Sequence, residues 1–132
     1  MIIADSDVLI DFLRGKASAE RIERELRKGR VCTTVITAFE LWAGAKQQNQ
    51  MRSVEILLLA LPIINLDSQS AKRAGELKAS LEQKGITLGM ADSLIAGICL
   101  ENKAKLFTRN YRHFSQVEGL KLLESVEIET SK

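Results

Sequence analysis

The chain has 132 residues, 45% apolar and 27% charged, with 19 Lys and Arg against 17 Asp and Glu for a formal charge of +2. That length suits one domain over 1–132 with a buried core of its own. One proline and eight glycines exclude a low-complexity chain, and the mild charge permits a nucleic-acid partner without signalling one.

Residues 1–4, Met1-Ile2-Ile3-Ala4, form an apolar run that stops at Asp5 and reads as the first strand. A short helix follows, capped by Ser6 or Asp7 and ended by Gly15. Ala19, Ile22 and Leu26 share a face over 18–28, which predicts a second helix closed by Gly29. The β-branched stretch 31–36 reads as the second strand. Thr37 then caps a helix to about Gln47, with Glu40 at capping-box spacing. Met51, Val54, Leu57, Leu58 and Leu61 recur at helical spacing around a helix over 49–60, which Pro62 stops. Ile63-Ile64-Asn65 is a brief third strand, and a helix capped by Asp67 or Ser68 runs to Lys84 and ends at Gly85. Gly89 opens another helix, 90–102, whose small and apolar residues suit close packing on a sheet. Residues 105–108 form the fourth strand and 120–123 a short edge strand, before a polar tail, 125–132, prone to fraying. Strands alternating with helices predict an α/β fold: three layers, α/β/α, around a small, mainly parallel sheet.

Cys32 and Cys99 sit among apolar residues without a C-x-x-C pair, so buried reduced thiols are expected rather than a zinc or redox site. The longest apolar run, 56–64, contains Pro62 and falls far short of the roughly 20 residues of a membrane span. Met1 leads directly into a strand-like run, so no signal peptide and a cytoplasmic protein are expected.

Three acids converge on one rim of this sheet. Asp5 follows the first strand, Glu40 lies in the first turn after the second, and Thr108-Arg109-Asn110 follows the fourth. In a parallel sheet these share the carboxyl end, where ligands bind. Asp92, in the first turn of the 90–102 helix, faces the same rim. Each acid has a structural explanation of its own, as a cap or a first-turn acid. Together they predict a metal centre. Neighbouring carboxylates repel one another unless a cation is present. Mg2+ is held by one or two carboxylates and several waters, and such an ion activates water and steadies charge on a phosphodiester. Asp7 reads as a cap or a supporting group. Asp11, one turn along the same face, reads as a structural acid paired with Arg14 or another base. His113 is the single histidine, which excludes a paired-histidine nuclease, and no G-x-S-x-G elbow or P-loop is present.

The segments Asp5-Ser6-Asp7-Val8-Leu9-Ile10-Asp11, Thr37-Ala38-Phe39-Glu40-Leu41, Ala91-Asp92-Ser93-Leu94-Ile95-Ala96 and Leu106-Phe107-Thr108-Arg109-Asn110-Tyr111-Arg112-His113-Phe114 together resemble the PIN domain, most nearly the VapC-type toxins of toxin–antitoxin pairs. The resemblance covers essentially the whole chain and keeps the family's order. It implies an Mg2+- or Mn2+-dependent endoribonuclease with Asp5, Glu40 and Asp92 as its catalytic metal ligands and Ser6 supporting the first aspartate. The fourth acid of many such domains corresponds to Asn110, which offers a neutral oxygen and weakens any second metal site; Asp7 stands where asparagine is frequent. A homodimer and a cognate antitoxin, whose C-terminal segment covers the site, are implied as well. Phe39, Trp42 and the 49–60 helix are candidates for such contacts, although core packing is the ordinary role of these residue types. Arg14, Lys16, Lys46, Arg109 and Arg112 flank the motif segments and are the candidate RNA phosphate contacts. Aromatic residues are too scarce, at 5%, to indicate base reading by stacking platforms.

Three other readings stand beside this one. Asp5-Ser6-Asp7 has the D-x-D form of an aspartyl phosphatase, but Leu9 replaces the usual Thr or Val and no paired acids follow the fourth strand. A phospho-receiver would use Asp67, yet Lys121 falls inside the fifth strand rather than at a strand end. A catalytically weak PIN fold that only binds RNA or a partner draws its support from Asn110.

Overall fold

A computed structural model describes residues 1–16 and 19–123. Five short strands, β1 (Ile2–Ala4), β2 (Val31–Thr34), β3 (Ile63–Ile64), β4 (Lys105–Phe107) and β5 (Leu122–Leu123), form one sheet in the order β3-β2-β1-β4-β5. Every pairing is parallel. β1 lies at the centre, with Ile3 opposite Cys32 on one side and Leu106 on the other. The carboxyl ends of β1, β2 and β4 therefore open on the same rim.

Seven helices complete the described chain: α1 (Ser6–Leu13), α2 (Ala19–Arg27), α3 (Val35–Gly44), α4 (Gln48–Leu59), α5 (Ser68–Gln83), α6 (Met90–Glu101) and α7 (Tyr111–Phe114). Alternation along each strand sends neighbouring side chains to opposite faces. Ile3, Cys32 and Leu106 meet Leu81, Ile95 and Ile98 of α5 and α6 on one face. Ala4, Val31 and Phe107 meet Val8, Ile22, Leu41 and Leu57 of α1 to α4 on the other. The expected three-layer α/β/α fold is the fold observed.

Close packing sets the position of α6. A Cβ on Gly97 would stand 2.6 Å from the Ser70 carbonyl oxygen and 2.9 Å from Ala74 Cβ. Only a glycine lets α6 lie this near α5. That contact fixes the helix whose first turn carries Asp92. The thiols of Cys32 and Cys99 are free and buried, and burial pushes Cys99 up to about 12.

Several boundaries move. The cap of α1 is Asp5, whose carboxylate accepts from the Ser6 N–H; Ser6 and Asp7 are inside the helix. β2 stops at Thr34, and Val35 and Ile36 belong to α3. The Thr34 hydroxyl accepts from the Thr37 N–H, so Thr34 and not Thr37 is the cap. Glu40 consequently sits in the second turn and takes no part in a capping box. The four-residue α7 is an addition to the expected elements. β5 is shorter than expected, and the tail 125–132, like Ser18, lies outside the described residues. Phe39 (71% exposed), Trp42 (43%), Ile56 and Leu59 face outward rather than into the core. No helix among the described residues is long and apolar enough to cross a membrane.

Candidate active site

Asp5 ends β1, is nearly fully buried, and is held at both oxygens. Its Oδ1 accepts from the Ser6 N–H at 2.8 Å and its Oδ2 from the Thr108 hydroxyl at 2.9 Å. Thr108 is itself fully buried just past β4, and its Oγ1 accepts from the Asn110 N–H at 3.0 Å. One threonine thus couples the ends of β1 and β4, residues 103 apart in sequence. Asp7 faces the same loop: its Oδ2 accepts from the Arg109 N–H at 3.1 Å. Asp11 forms an ion pair with Arg109, Nε to Oδ2 at 2.9 Å. Its base is therefore Arg109 and not Arg14, and the half-exposed Arg109 guanidinium anchors α1 as well as facing solvent.

The carboxylates Asp5, Asp7, Glu40 and Asp92 lie close enough to act on one another. Burial raises the pKa of Asp5, and the Asp92 charge raises it further against the Thr108 and Ser6 hydrogen bonds. Burial and the Asp5 charge push Asp7 up to about 6. Glu40 is raised by burial, then by Asp5, Asp92 and Asp7, with the Ser6 hydroxyl offsetting part of the rise. Asp92 is raised by burial and by Asp7, while the nearby His113 favours its charged form. The rim therefore gathers Asp5, Glu40 and Asp92, which come from β1, α3 and α6, with Asp7 from α1 as a fourth acid.

Two of these acids keep a buried oxygen without a partner, Asp7 Oδ1 and Glu40 Oε1. Unpaired buried carboxylate oxygens are costly. A set made only of oxygen donors suits a hard divalent cation. Among the described residues no group of three or more Asp, Glu, His or Cys side chains is placed to hold a metal ion. An ion that keeps several waters needs only one or two carboxylates, so the donor set fits Mg2+ or Mn2+.

The model of the PIN domain matches residues 2–120. This chain belongs to the PIN domain family. Among its relatives are ribonuclease VapC10 of Mycobacterium tuberculosis, 33% identical over 122 residues with 92% of this chain and 91% of the relative covered, and the tRNA(fMet)-specific endonuclease VapC of Salmonella typhimurium, 28% identical with 89% and 92% covered. Among solved structures, VapBC2 of Rickettsia felis, bound to a DNA fragment from its promoter, superposes with a TM-score of 0.85 at 25% identity, covering 94% of this chain and 98% of that one. The chain is a PIN domain of the VapC type.

In this PIN domain the other expected site residues take different places. The Ser6 hydroxyl acts on Glu40, while its backbone N–H holds Asp5. The Asn110 side chain turns to His113, with Nδ2 at 3.1 Å from Nδ1. Arg112 is exposed on α7. The sequence puts Thr108 on the rim without a role; a threonine after an apolar strand whose partner acid lies across the sheet is its one signal. His113 had none beyond being the only histidine.

Proposed function

We propose that this PIN domain is a divalent-metal-dependent endoribonuclease, the toxin of a toxin–antitoxin pair, with Asp5, Glu40 and Asp92 holding Mg2+ or Mn2+. The observation that carries the reading is the gathering of these acids on one rim, where Asp92 raises Asp5 and both raise Glu40, with Glu40 Oε1 buried and unpaired. When bound, the ion supplies Lewis-acid chemistry, acidifying water and offsetting phosphodiester charge. The chain's residues do the rest. Thr108 and the Ser6 N–H fix Asp5 in one orientation. Glu40, with a free oxygen and a raised pKa, accepts the proton of the attacking water. Arg112 and the solvent side of Arg109 meet RNA phosphates.

Two other readings lose ground on specific contacts. An aspartyl phosphatase wants paired acids after β4, where Thr108, Arg109 and Asn110 stand instead, with Thr108 bonded to Asp5. Asp67, the acceptor a receiver would need, caps α5 through the Ser70 N–H at 2.8 Å.

The partner reading rests on a groove of about 290 Å³ between α1, α3 and α4, lined by Ile10, Leu13, Leu41 and Val54 and reaching Glu40. An antitoxin segment with apolar side chains suits this groove, which Arg14 and Glu40 also line, and exposed Phe39 and Trp42 add apolar surface on α3. A homodimer and a cytoplasmic setting complete the proposal.

Purified chain, freed of any antitoxin, is expected to cleave single-stranded RNA with Mg2+ or Mn2+, to stop with EDTA, and to resume when Mn2+ is restored. RNA bound but intact under all these conditions would establish the binding-module reading instead.

A further inference from the structure

A second cavity, of about 320 Å³, lies between the loop that joins α5 to α6 (residues 85–88) and the α7 segment, where Arg112, His113 and Gln116 line it. We propose that it is a nucleotide subsite, taking the base next to the scissile phosphate of a single-stranded RNA, with His113 and Arg112 as its binding residues. The proposal rests on the ribonuclease reading above and adds where the strand is read.

Position comes first. Leu88, on the cavity wall, is four residues before Asp92, and His113, on the facing wall, acts on the Asp92 charge. A strand whose phosphate lies at the acids therefore passes this opening with its neighbouring nucleotide. Charge is the second argument. The groove beside Glu40 balances that carboxylate with Arg14, whereas the lining of this cavity holds Arg112 and no acid. Polyanion binding favours the second. Chemistry is the third. Ile86 offers an apolar wall, and Thr87 and Gln116 offer hydroxyl and amide groups for a base edge. Unstacked RNA bases lie against His rings and Arg guanidinium planes and are hydrogen-bonded along their edges. The volume falls at the small end of ligand pockets, as a single base requires.

His113 is held for this purpose. The Asn110 amide nitrogen lies 3.1 Å from Nδ1 and sets the direction of the ring. Asn110 is thus a positioning residue that acts through His113.

Two readouts separate this inference from the reading beneath it: anisotropy of a short fluorescein-labelled single-stranded RNA of mixed sequence in EDTA, and cleavage of the same RNA in Mn2+. Thr87→Trp fills the cavity from an exposed position, and His113→Ala removes the ring. Each is expected to weaken RNA binding and raise KM about tenfold, the worth of one base contact, with kcat within about threefold. Both should flatten the base preference beside the cut. Asn110→Ala should match His113→Ala, and the double variant should lose nothing more. Variants that melt as wild type does, yet bind RNA and choose cut sites as wild type does, would overturn the subsite even if RNA is cleaved. So would wild-type chain that binds no RNA. Binding that depends on these residues without cleavage in Mn2+ would keep the subsite and reject the ribonuclease.

Discussion

Asp92→Asn is expected to lower the rate of RNA cleavage by at least about 10²- to 10³-fold, the scale of losing one group that acts on developing charge. The substitution keeps the size of the side chain and removes one charge. Asp92 is half-buried, and its carboxylate is disfavoured by burial and by Asp7. The α6 helix that carries it is held by Gly97 against α5, well away from the substitution. The metal-free variant should therefore melt no lower than wild type at pH 7.5, so the loss of activity is not a loss of fold. Cleavage time courses and thermal denaturation of the same preparation check both halves.

Asp7→Asn is expected to stabilise the metal-free protein at neutral pH and to leave it unchanged near pH 4. Folding raises the Asp7 pKa from 3.8 to about 6, through burial and the Asp5 charge. The folded state therefore binds this proton more tightly than the unfolded state. Its contribution is fully present below about pH 4 and is lost as pH rises through about 6. Asp5, Glu40 and Asp92 are shifted in the same direction. An asparagine at position 7 keeps an acceptor for the Arg109 N–H and sheds the charge, at the cost of a favourable first-turn acid in α1. The net gain at pH 7.5 is about 1 kcal/mol after discounting for solvent, or about 3–6 °C in melting temperature. Saturating Mn2+ should shrink the difference, because the ion offsets the same repulsion in wild type. Melting curves at pH 4, 6 and 7.5, with and without Mn2+, measure it.

The strands were legible because a parallel sheet covered on both faces leaves short apolar runs, as Met1-Ile2-Ile3-Ala4 shows. The acids were legible for a related reason: Asp5 follows a strand, Asp92 opens a helix, Glu40 lies early in the helix after β2, and the topology points all three to one rim. The strand-to-helix junction at Thr34 was not. Val35 and Ile36 carry β-branched side chains, yet the Thr34 hydroxyl starts the helix one residue before them. That shift moves Glu40 out of a capping role and leaves its carboxylate to the site. The four-residue α7 is too short to show a period. The bonds from Thr108 to Asp5 and from Arg109 to Asp11 join residues about a hundred positions apart, which only the closed sheet brings together. Phe39 and Trp42 mislead in the other direction, since large apolar residues are usually core and here lie on the surface.

Mn2+ binding to metal-free chain at pH 7.5, followed by electron paramagnetic resonance, tests most directly whether the acidic rim is a metal centre. Wild type is expected to bind the ion there, and Asp5→Asn, Glu40→Gln and Asp92→Asn each to weaken that binding by tenfold or more, in step with their loss of RNA cleavage. Wild-type chain that binds no Mn2+, or binding that survives all three substitutions unchanged, would contradict it.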